Sequence, residues 1–337
     1  MSQWLSTEMA QGLAFNAGSN FDPPKEVQGY SLQPDVSLGV GNMPLDKRQF
    51  PVITTPALNQ YGASNLFPNS VLFPNLALHL RMGLPWRGDF YIRGADATTP
   101  PGYKISPTMT AKVQSNSYGA GIRQHFFGDD YPVLTVGAHY NHVQGYTHIN
   151  GKFNVNIVNG GQTLYNANDT FTGDIGWSVN SFGLTAIASQ SFGAWTPFAG
   201  LGYNYASGSV HAGLTLQSST FLVPDITGEG SDHPEKSQGR EIFGFSYDRS
   251  TWSLFANAEL KALGQLQYRS YIVQFGGALP FDIGRGPAIF YKKRGRQPAA
   301  AKAGPDDGSD APETPPARRP RAEPPAEQDP SGLIYIR

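Results

Sequence analysis

Apolar and polar residues alternate with a period of two through much of the chain between residues 31 and 279. The segment 117–143 shows this well, because two alternating arms flank a turn at 128–130. On the first arm one parity holds Tyr118, Ala120, Ile122, Gln124 and Phe126, and the other holds Ser117, Gly119, Gly121, Arg123 and His125. Side chains on a strand point to opposite faces in turn. The pattern therefore predicts a hairpin with one apolar face and one face of small and polar residues.

The polar faces carry mostly Gly, Ser, Thr, His and Asn with a rare Arg, rather than the Lys and Glu of a solvated sheet. A soluble sandwich also alternates, but this composition favours a barrel with lipid outside and water inside. We therefore predict an all-β fold, a closed antiparallel transmembrane β-barrel of about 12 strands. A short N-terminal helix precedes it and a disordered Pro/Ala-rich tail follows it.

The apolar rows give roughly 10 to 12 strands, and bacterial single-chain barrels have even numbers. The most regular row is Leu76–Leu84, and 199–205 and 210–216 are predicted as successive strands. Between Val179 and Phe182 the apolar parity changes, which predicts either a β-bulge or a long strand that leaves the membrane there. Turn-rich stretches predict outward loops at 45–71, 96–104, 159–170 and 221–238, with the short turns facing the periplasm.

Three regions follow from this pattern. Residues 1–25 form an amphipathic segment, either a helix that plugs the lumen or a frayed end, residues 26–296 form the barrel, and residues 297–337 form the tail. The tail is a possible site for a protein partner. The first residues lack the basic region and apolar core of a signal peptide. Either the chain is a processed or re-started form of an exported protein, which we expect, or the barrel prediction is wrong.

Composition narrows the function classes. Charged residues make up 15% of the chain, against about 25% in a typical soluble domain, which leaves few charges for a large water-facing surface. The net charge of −1 gives no field for nucleic acid. The chain has no Cys, which excludes disulfides and thiolate metal sites. It also has no apolar run of about 18 residues, as a transmembrane helix would need.

No enzyme signature is present, so we predict no catalytic residue, no metal site and no cofactor. His139 and His142 are three residues apart, which places them on opposite faces of a strand. His125 and His139 could face each other across the hairpin lumen. Among strand residues, Asp174 and Glu259 stand out as acidic partners.

Charged and imidazole side chains collect on the polar parities of neighbouring strands. The predicted lumen-lining residues are His79, Arg81, Arg93, Arg123, His125, His139, Glu259 and Lys261. In one interpretation this base-rich lining selects solutes. In the other, the groups pair with one another and fill a narrow lumen. The sequence leaves both interpretations open.

Three segments carry a resemblance to known proteins. They are the 80–93 hairpin LRMGLPWRGDFYIR, the 118–125 arm YGAGIRQH and the final pair ending YIVQFGGALPF at 271–281. Together with the N-terminal segment they resemble bacterial outer-membrane β-barrels that are grouped in uncharacterised families. The resemblance covers roughly residues 3–290 and implies architecture and location, not a substrate.

These observations predict an outer-membrane barrel of a Gram-negative bacterium that contacts outer-membrane lipid and could take a small solute. Its expected role is that of a passive, porin-like channel or transport-type barrel with a polar lumen. The first alternative is a structural or surface-interaction barrel without transport, and the second is a soluble β-barrel or sandwich that carries a ligand. The medium that meets the Leu76–Leu84 row decides between the membrane barrels and the soluble carrier.

Overall fold

The computed structural model describes residues 1–19, 23–27, 29–51, 67–106, 108–128, 132–159, 162–219, 225–249 and 251–282. Its elements are α1 (Ser2–Ala17), β1 (Ser31–Pro44), a 3-10 turn (Lys47–Gln49), β2 (Ser70–Leu84), β3 (Gly88–Thr98), β4 (Lys104–Ser106), β5 (Met109–Phe127), β6 (Val133–Asn159), β7 (Gln162–Ser189), β8 (Trp195–Gln217), β9 (Ile226–Asp232), β10 (Ser237–Asp248), β11 (Ser253–Leu263), β12 (Tyr271–Ala278) and β13 (Phe281–Asp282). The predicted tail, 297–337, lies outside the described residues.

The described strands close into a ring in which every neighbouring pair is antiparallel. Strand β1 pairs with β2 on one side and with β12 on the other, so the first strand of the chain meets the last of its long described strands. Eleven strands form the ring, and β9 and β10 share one place because both pair with β8 along its length. The short strands β4 and β13 add to β5 and β1. The predicted closed antiparallel barrel is confirmed.

The apolar row of β2 faces outward. Leu76, Leu78, Leu80 and Met82 are 38%, 62%, 36% and 42% exposed, whereas His79 and Arg81 between them are buried. Similar exposed rows lie on the other strands, including Val36 and Leu38 on β1, Phe182 and Leu184 on β7, and Leu201 and Tyr203 on β8. An apolar exterior around a polar interior is the arrangement of a membrane barrel. The soluble carrier, which needs these rows inside, is therefore wrong.

The two ends of the barrel differ in their connections. The turns 85–87, 128–132, 190–194 and 249–252 define the turn end, and β1 begins there. The connections 45–69, 99–108, 218–225 and 264–270 define the opposite, loop end. Short turns face the periplasm and long loops the outside in bacterial barrels. Among the described residues, no helix is long and apolar enough to span a membrane.

Four neighbouring strands are longer than a membrane requires. Strands β5 to β8 have 19, 27, 28 and 23 residues, against about 9–11 needed to cross the bilayer. We call their loop-end parts the extension, residues 109–117, 143–152, 169–180 and 206–217. In the extension the polarity of the two faces is reversed, with apolar residues inside and polar residues outside.

Strand β7 shows the reversal directly. Ile175 and Val179 point inward and are buried, and Thr185 on the same face is buried nearer the turn end. On the other face, exposed Ser178 gives way to exposed Phe182. The pairing of this stretch with β6 and β8 has no register shift, so the β-bulge predicted here is wrong. The alternative prediction is correct: the strand leaves the lipid, and its outer face then meets water.

The same change of medium explains a second error. Residues 199–205 and 210–216, predicted as two strands, belong to the single strand β8. The outward residues change from apolar to polar after Tyr205. The boundary falls on register partners across neighbouring strands, because Tyr205 pairs with Phe182 and Phe182 pairs with Tyr140. We call this row of outward residues the polarity boundary.

Helix α1 lies inside the barrel, within the extension. Fourteen of its 16 residues are buried, so the helix is covered on all sides rather than amphipathic as predicted. Its apolar side chains pack with the inner wall in one core that includes Trp4, Leu5, Met9, Leu13, Met43, Phe73, Phe171, Ile175, Trp177, Val210 and Leu214. Gly12 permits this fit, since a Cβ there would lie 2.6–2.9 Å from Met43 side-chain atoms.

The outward row gives a first testable prediction. Leu78→Arg places a charge in the middle of the apolar row of β2 and is expected to lower the free energy of unfolding by about 2–4 kcal/mol. Ser178→Arg, on the polar exterior of β7, is the matched control and is expected to change it little. Urea unfolding in lipid vesicles measures both variants. Equal losses for the two variants would contradict the assignment of lipid to the β2 row.

Candidate functional site

All eight predicted lumen residues lie on the inward face of the wall and are buried. They are His79 and Arg81 on β2, Arg93 on β3, Arg123 and His125 on β5, His139 on β6, and Glu259 and Lys261 on β11. The structure brings them together in groups that contact carboxylates of the wall and the backbone of the N-terminal segment, residues 1–27. His125 and His139 belong to different groups and do not face each other.

The first group surrounds Asp35 of β1 near the turn end. Register pairing places Asp35 opposite His79, and His79 Nδ1 lies 2.7 Å from Asp35 Oδ1. Arg81 Nε donates to Asp35 Oδ2 at 3.0 Å, and Arg81 Nη1 reaches the carbonyl of Pro23 at 3.4 Å. Both ion-pair partners are fully buried. The group therefore links the wall to the N-terminal segment.

The second group surrounds Asp89 of β3. Arg123 donates two hydrogen bonds, of 2.8 and 3.1 Å, to the Asp89 carboxylate. His125 Nε2 lies 2.8 Å from Asp89 Oδ2. Arg123 Nη1 also donates to the carbonyl of Pro23 at 2.9 Å. Thr135, next to His125, donates to the carbonyl of Pro24 at 3.2 Å. Because a buried charge is costly without a partner, these contacts fix both the wall and the segment.

The third group lies where α1 ends. Glu259 accepts hydrogen bonds from Arg240 of β10 and from the hydroxyl of Ser19 in the N-terminal segment, the latter at 2.7 Å. Arg240 also donates to the carbonyl of Phe15 at 3.0 Å, and its guanidinium lies 4.8 Å from the centre of the Phe15 ring. Gln274 of β12 donates to Ser19 Oγ at 3.2 Å. The ion pair of Arg240 and Glu259 thus contacts the helix at Phe15 and also contacts Ser19, just beyond the end of the helix.

The wall also caps the last carbonyls of α1. His139 Nε2 and Asn204 Nδ2 lie 3.2 and 3.1 Å from the oxygen of Gly18, and Arg93 donates to the oxygen of Ser19 at 2.5 Å. The C-terminal end of a helix carries partial negative charge and unpaired carbonyls. Arg93 and Arg240 supply positive charges and hydrogen-bond donors at this end of the helix. Hence the barrel wall adds side-chain donors around Gly18, the C-cap residue of the helix.

At the loop end, further polar contacts hold the segment. Glu8 is buried and accepts the backbone N–H of Asp46 at 2.9 Å, and burial raises the pKa of its carboxyl. Trp4 donates to the carbonyl of Asp46 at 3.1 Å. Gln3 donates to the carbonyl of Ser231 at 2.9 Å. These contacts join α1 to the loop after β1 and to β9.

Sequence reasoning missed three members of these groups, two carboxylates and one arginine. Asp35, Asp89 and Arg240 lie on the inward parities of β1, β3 and β10, so their position was available from alternation, but their partners depend on the pairing of distant strands. Asp174, which stood out from the sequence, lies on the exterior with His148 Nδ1 at 2.6 Å. Lys261, by contrast, pairs with Glu235 at 2.6 Å, just before β10.

The geometry of the described residues supports two statements. A closed antiparallel barrel with an apolar exterior is the architecture of bacterial outer-membrane proteins, and the chain is an outer-membrane β-barrel. Its inward-facing cations contact carboxylates and the N-terminal segment rather than an open water-filled passage. The interpretation in which charges pair and fill a narrow lumen therefore fits the structure better than a base-rich selective lining.

Comparison with known proteins gives a family and a set of distant structural similarities. The model of a family of unknown function, DUF6588, matches residues 65–264, more than half of the 337 residues. No curated protein matches the sequence.

Three solved barrels illustrate the structural similarity. The translocator domain of the autotransporter NalP from Neisseria meningitidis is 11% identical with a TM-score of 0.37, over 75% of this chain and 90% of that one. The outer membrane protease OmpT from Escherichia coli is 10% identical with a TM-score of 0.36, over 76% and 96%. The attachment invasion locus protein Ail of Yersinia pestis is 10% identical with a TM-score of 0.24, over 75% and 99%. No statement on activity follows from similarities of this size.

Proposed function

We propose that this chain, which belongs to the DUF6588 family, is a transport-type outer-membrane barrel whose lumen is closed at rest by its own N-terminal segment. In this proposal residues 1–27 act as a plug. Solute passes only after the plug shifts, so the protein is not a permanently open porin.

One observation carries the proposal: side chains of the wall recognise the backbone of the segment. The carbonyls of Phe15, Gly18, Ser19, Pro23 and Pro24 accept hydrogen bonds from wall side chains. These side chains come from β3, β5, β6, β8 and β10, on several sides of the lumen. A lumen lining that is complementary to a non-strand segment supports a closed resting state.

The contacts that hold the segment are also reversible. The chain has no Cys, so no disulfide ties the segment to the wall. In the part of the segment that follows α1, the described contacts are hydrogen bonds to wall side chains and the ion pairs of Lys25 with Asp248 and of Glu26 with Arg87. A hydrogen bond contributes about 0.5–1.5 kcal/mol net, or about 1.5–3 kcal/mol where one partner is charged. Displacement of the segment would expose a polar wall of Arg, His, Asn and Gln that suits water and a polar solute.

The second candidate is a structural or surface-interaction barrel that never conducts. The extension favours it, because β6 and β7 stand well beyond the apolar exterior and present a polar outer surface to the medium. A partner could bind there without any passage through the lumen.

Single-channel recording in planar bilayers separates the two candidates. We expect the wild type to be closed most of the time, because the plug occupies the lumen. Ala10→Asp with Leu13→Asp puts two charges into the apolar contact of α1 while leaving every wall residue unchanged, and is expected to increase the open fraction strongly. Gln144→Asp with Gln217→Asp adds two charges to the exposed polar exterior of the extension, and is expected to behave as the wild type.

Protease cleavage within residues 1–27 reports whether the plug has left the lumen. A variant that is folded and cleaved there but does not conduct would overturn the transport proposal and favour the structural barrel. A wild type that is continuously open would overturn the closed resting state.

A further inference from the structure

The wall has a lateral cleft between β2 and β3. The pairing of these strands runs from the turn at 85–87 to the Leu78–Gly94 pair and stops there. Beyond it, residues 70–77 of β2 continue to pair with β1, and residues 95–98 of β3 continue to pair with β5. In the described part of the chain the two strands therefore diverge toward the loop end without hydrogen bonds between them.

A cavity of about 350 Å³ lies at this cleft, within the range of about 300–1,000 Å³ for small-molecule sites. Val71 and Phe73 of β2 line one side, and Met109 and Ala111 of β5 line the other. Leu5 and Met9 of α1 also line it. The cavity thus lies beside the plug and is mainly apolar.

The cleft communicates with the apolar exterior of the barrel. Leu72 and Pro74, which also line the cavity, lie on the outward face of β2, in line with Leu76 and Leu78. A second, smaller cavity lined by Leu76, Ala95 and Leu13 continues the cleft toward the middle of the barrel. A hydrocarbon chain could therefore enter from the lipid side and reach the helix.

The far rim of the cavity is polar. Tyr103 and Lys104 line it and are exposed to solvent. Thr99 and Asn42 add a hydroxyl and an amide to the lining. An apolar cavity that opens toward lipid on one side and toward a cation on the other matches a molecule with an alkyl chain and an anionic head.

We propose that the cleft between β2 and β3 is a binding site for a single-chain anionic amphiphile, such as a long-chain fatty acid. The alkyl chain lies in the cavity against Leu5 and Met9, and the carboxylate lies near Lys104. A phospholipid would have to place two chains in the one cavity. This inference goes beyond the proposed function, because binding requires neither movement of the plug nor conduction.

Spin-labelled stearate binding to the purified full-length barrel in a neutral detergent tests the site. We expect saturable immobilisation by the wild type. Ala111→Phe fills the cavity and is expected to weaken binding by at least about tenfold, whereas Ala120→Phe adds the same ring to the outward face of β5 and is expected to have no effect. Lys104→Gln should weaken binding of the acid but not of the matching alcohol, and Lys112→Gln should change neither.

Non-saturable uptake by the wild type, or equal binding by Ala111→Phe and Ala120→Phe, would overturn the proposal. Competition by unlabelled oleate but not by phosphatidylglycerol is expected, and the reverse would reject the single-chain ligand. Because the chain has no Cys, Ala111→Cys provides a second test that does not depend on the bulky variant. Stearate should slow its reaction with a maleimide, and unchanged labelling would contradict the site.

Discussion

Asp89→Ala is expected to lower the free energy of unfolding of the barrel by about 3–5 kcal/mol, because it removes one partner from a buried charge pair. Asp89 is fully buried and accepts two hydrogen bonds from Arg123 and one from His125. Without the carboxylate, the Arg123 charge stays in the wall and loses its two hydrogen bonds to Asp89, while its hydrogen bond to the Pro23 carbonyl remains. Urea unfolding in lipid vesicles, followed by tryptophan fluorescence, gives the loss.

The same strand offers a matched control. Asp96 of β3 is exposed and faces outward, so Asp96→Ala removes the same charge without leaving a buried partner and is expected to change stability by less than about 1 kcal/mol. Similar midpoints for the two variants would mean that the Asp89 group contributes no more than a surface pair. The interior network would then not hold the wall together.

Glu259→Ala is the second change with a large expected effect, about 3–5 kcal/mol by the same reasoning. It leaves the buried guanidinium of Arg240 without its carboxylate and takes the acceptor from the Ser19 hydroxyl. Because Glu259 touches both the wall and the N-terminal segment, we also expect faster protease cleavage within residues 1–27. Urea unfolding and the cleavage rate measure the two effects separately.

Two further variants sharpen this test. Glu241→Ala, on the outward parity of β10 next to Arg240, is the control and should alter neither readout. Arg240→Met combined with Glu259→Leu is expected to recover most of the wall stability, since apolar replacement of a buried pair is often neutral. It should still release the segment, because the Phe15 carbonyl loses its donor. Slow cleavage in the double variant would show that Arg240 does not hold the plug.

Alternation predicted the inward or outward direction of residues on most strands. It assigned Leu78 to the outside and His79 to the inside because a period of two is a property of one strand. It could not predict where along a strand the outer medium changes from lipid to water, and β7 shows why. Ile175 and Phe182 have opposite parities, which a bulge or a change of surroundings explains equally well in sequence. Only the continuous pairing with β6 decides between them.

The partners of the candidate residues needed information that a single strand does not contain. Asp35 meets His79 and Arg81 only in the register that the structure gives to β1 and β2. Arg123 reaches Asp89 across the β3–β5 pair in the same way. The placement of α1 depended on a cavity formed by the whole ring. The helix itself was predictable from residue spacing, but its location was not.

The position of the polarity boundary indicates which part of the N-terminal segment lies in the lumen at the depth of the bilayer. His139 and Asn204 of the wall bind the carbonyl oxygen of Gly18. In sequence they are next to the boundary residues Tyr140 and Tyr205. Helix α1 therefore ends level with the polarity boundary on β6 to β8, and most of the helix lies beside the extension. In the proposed closed state, the permeability barrier at bilayer depth is formed by the described residues that follow the helix, 18–19 and 23–27. Irregular backbone at such depth persists only when protein satisfies its polar groups, so leakiness should follow the loss of wall donors rather than the unfolding of the helix.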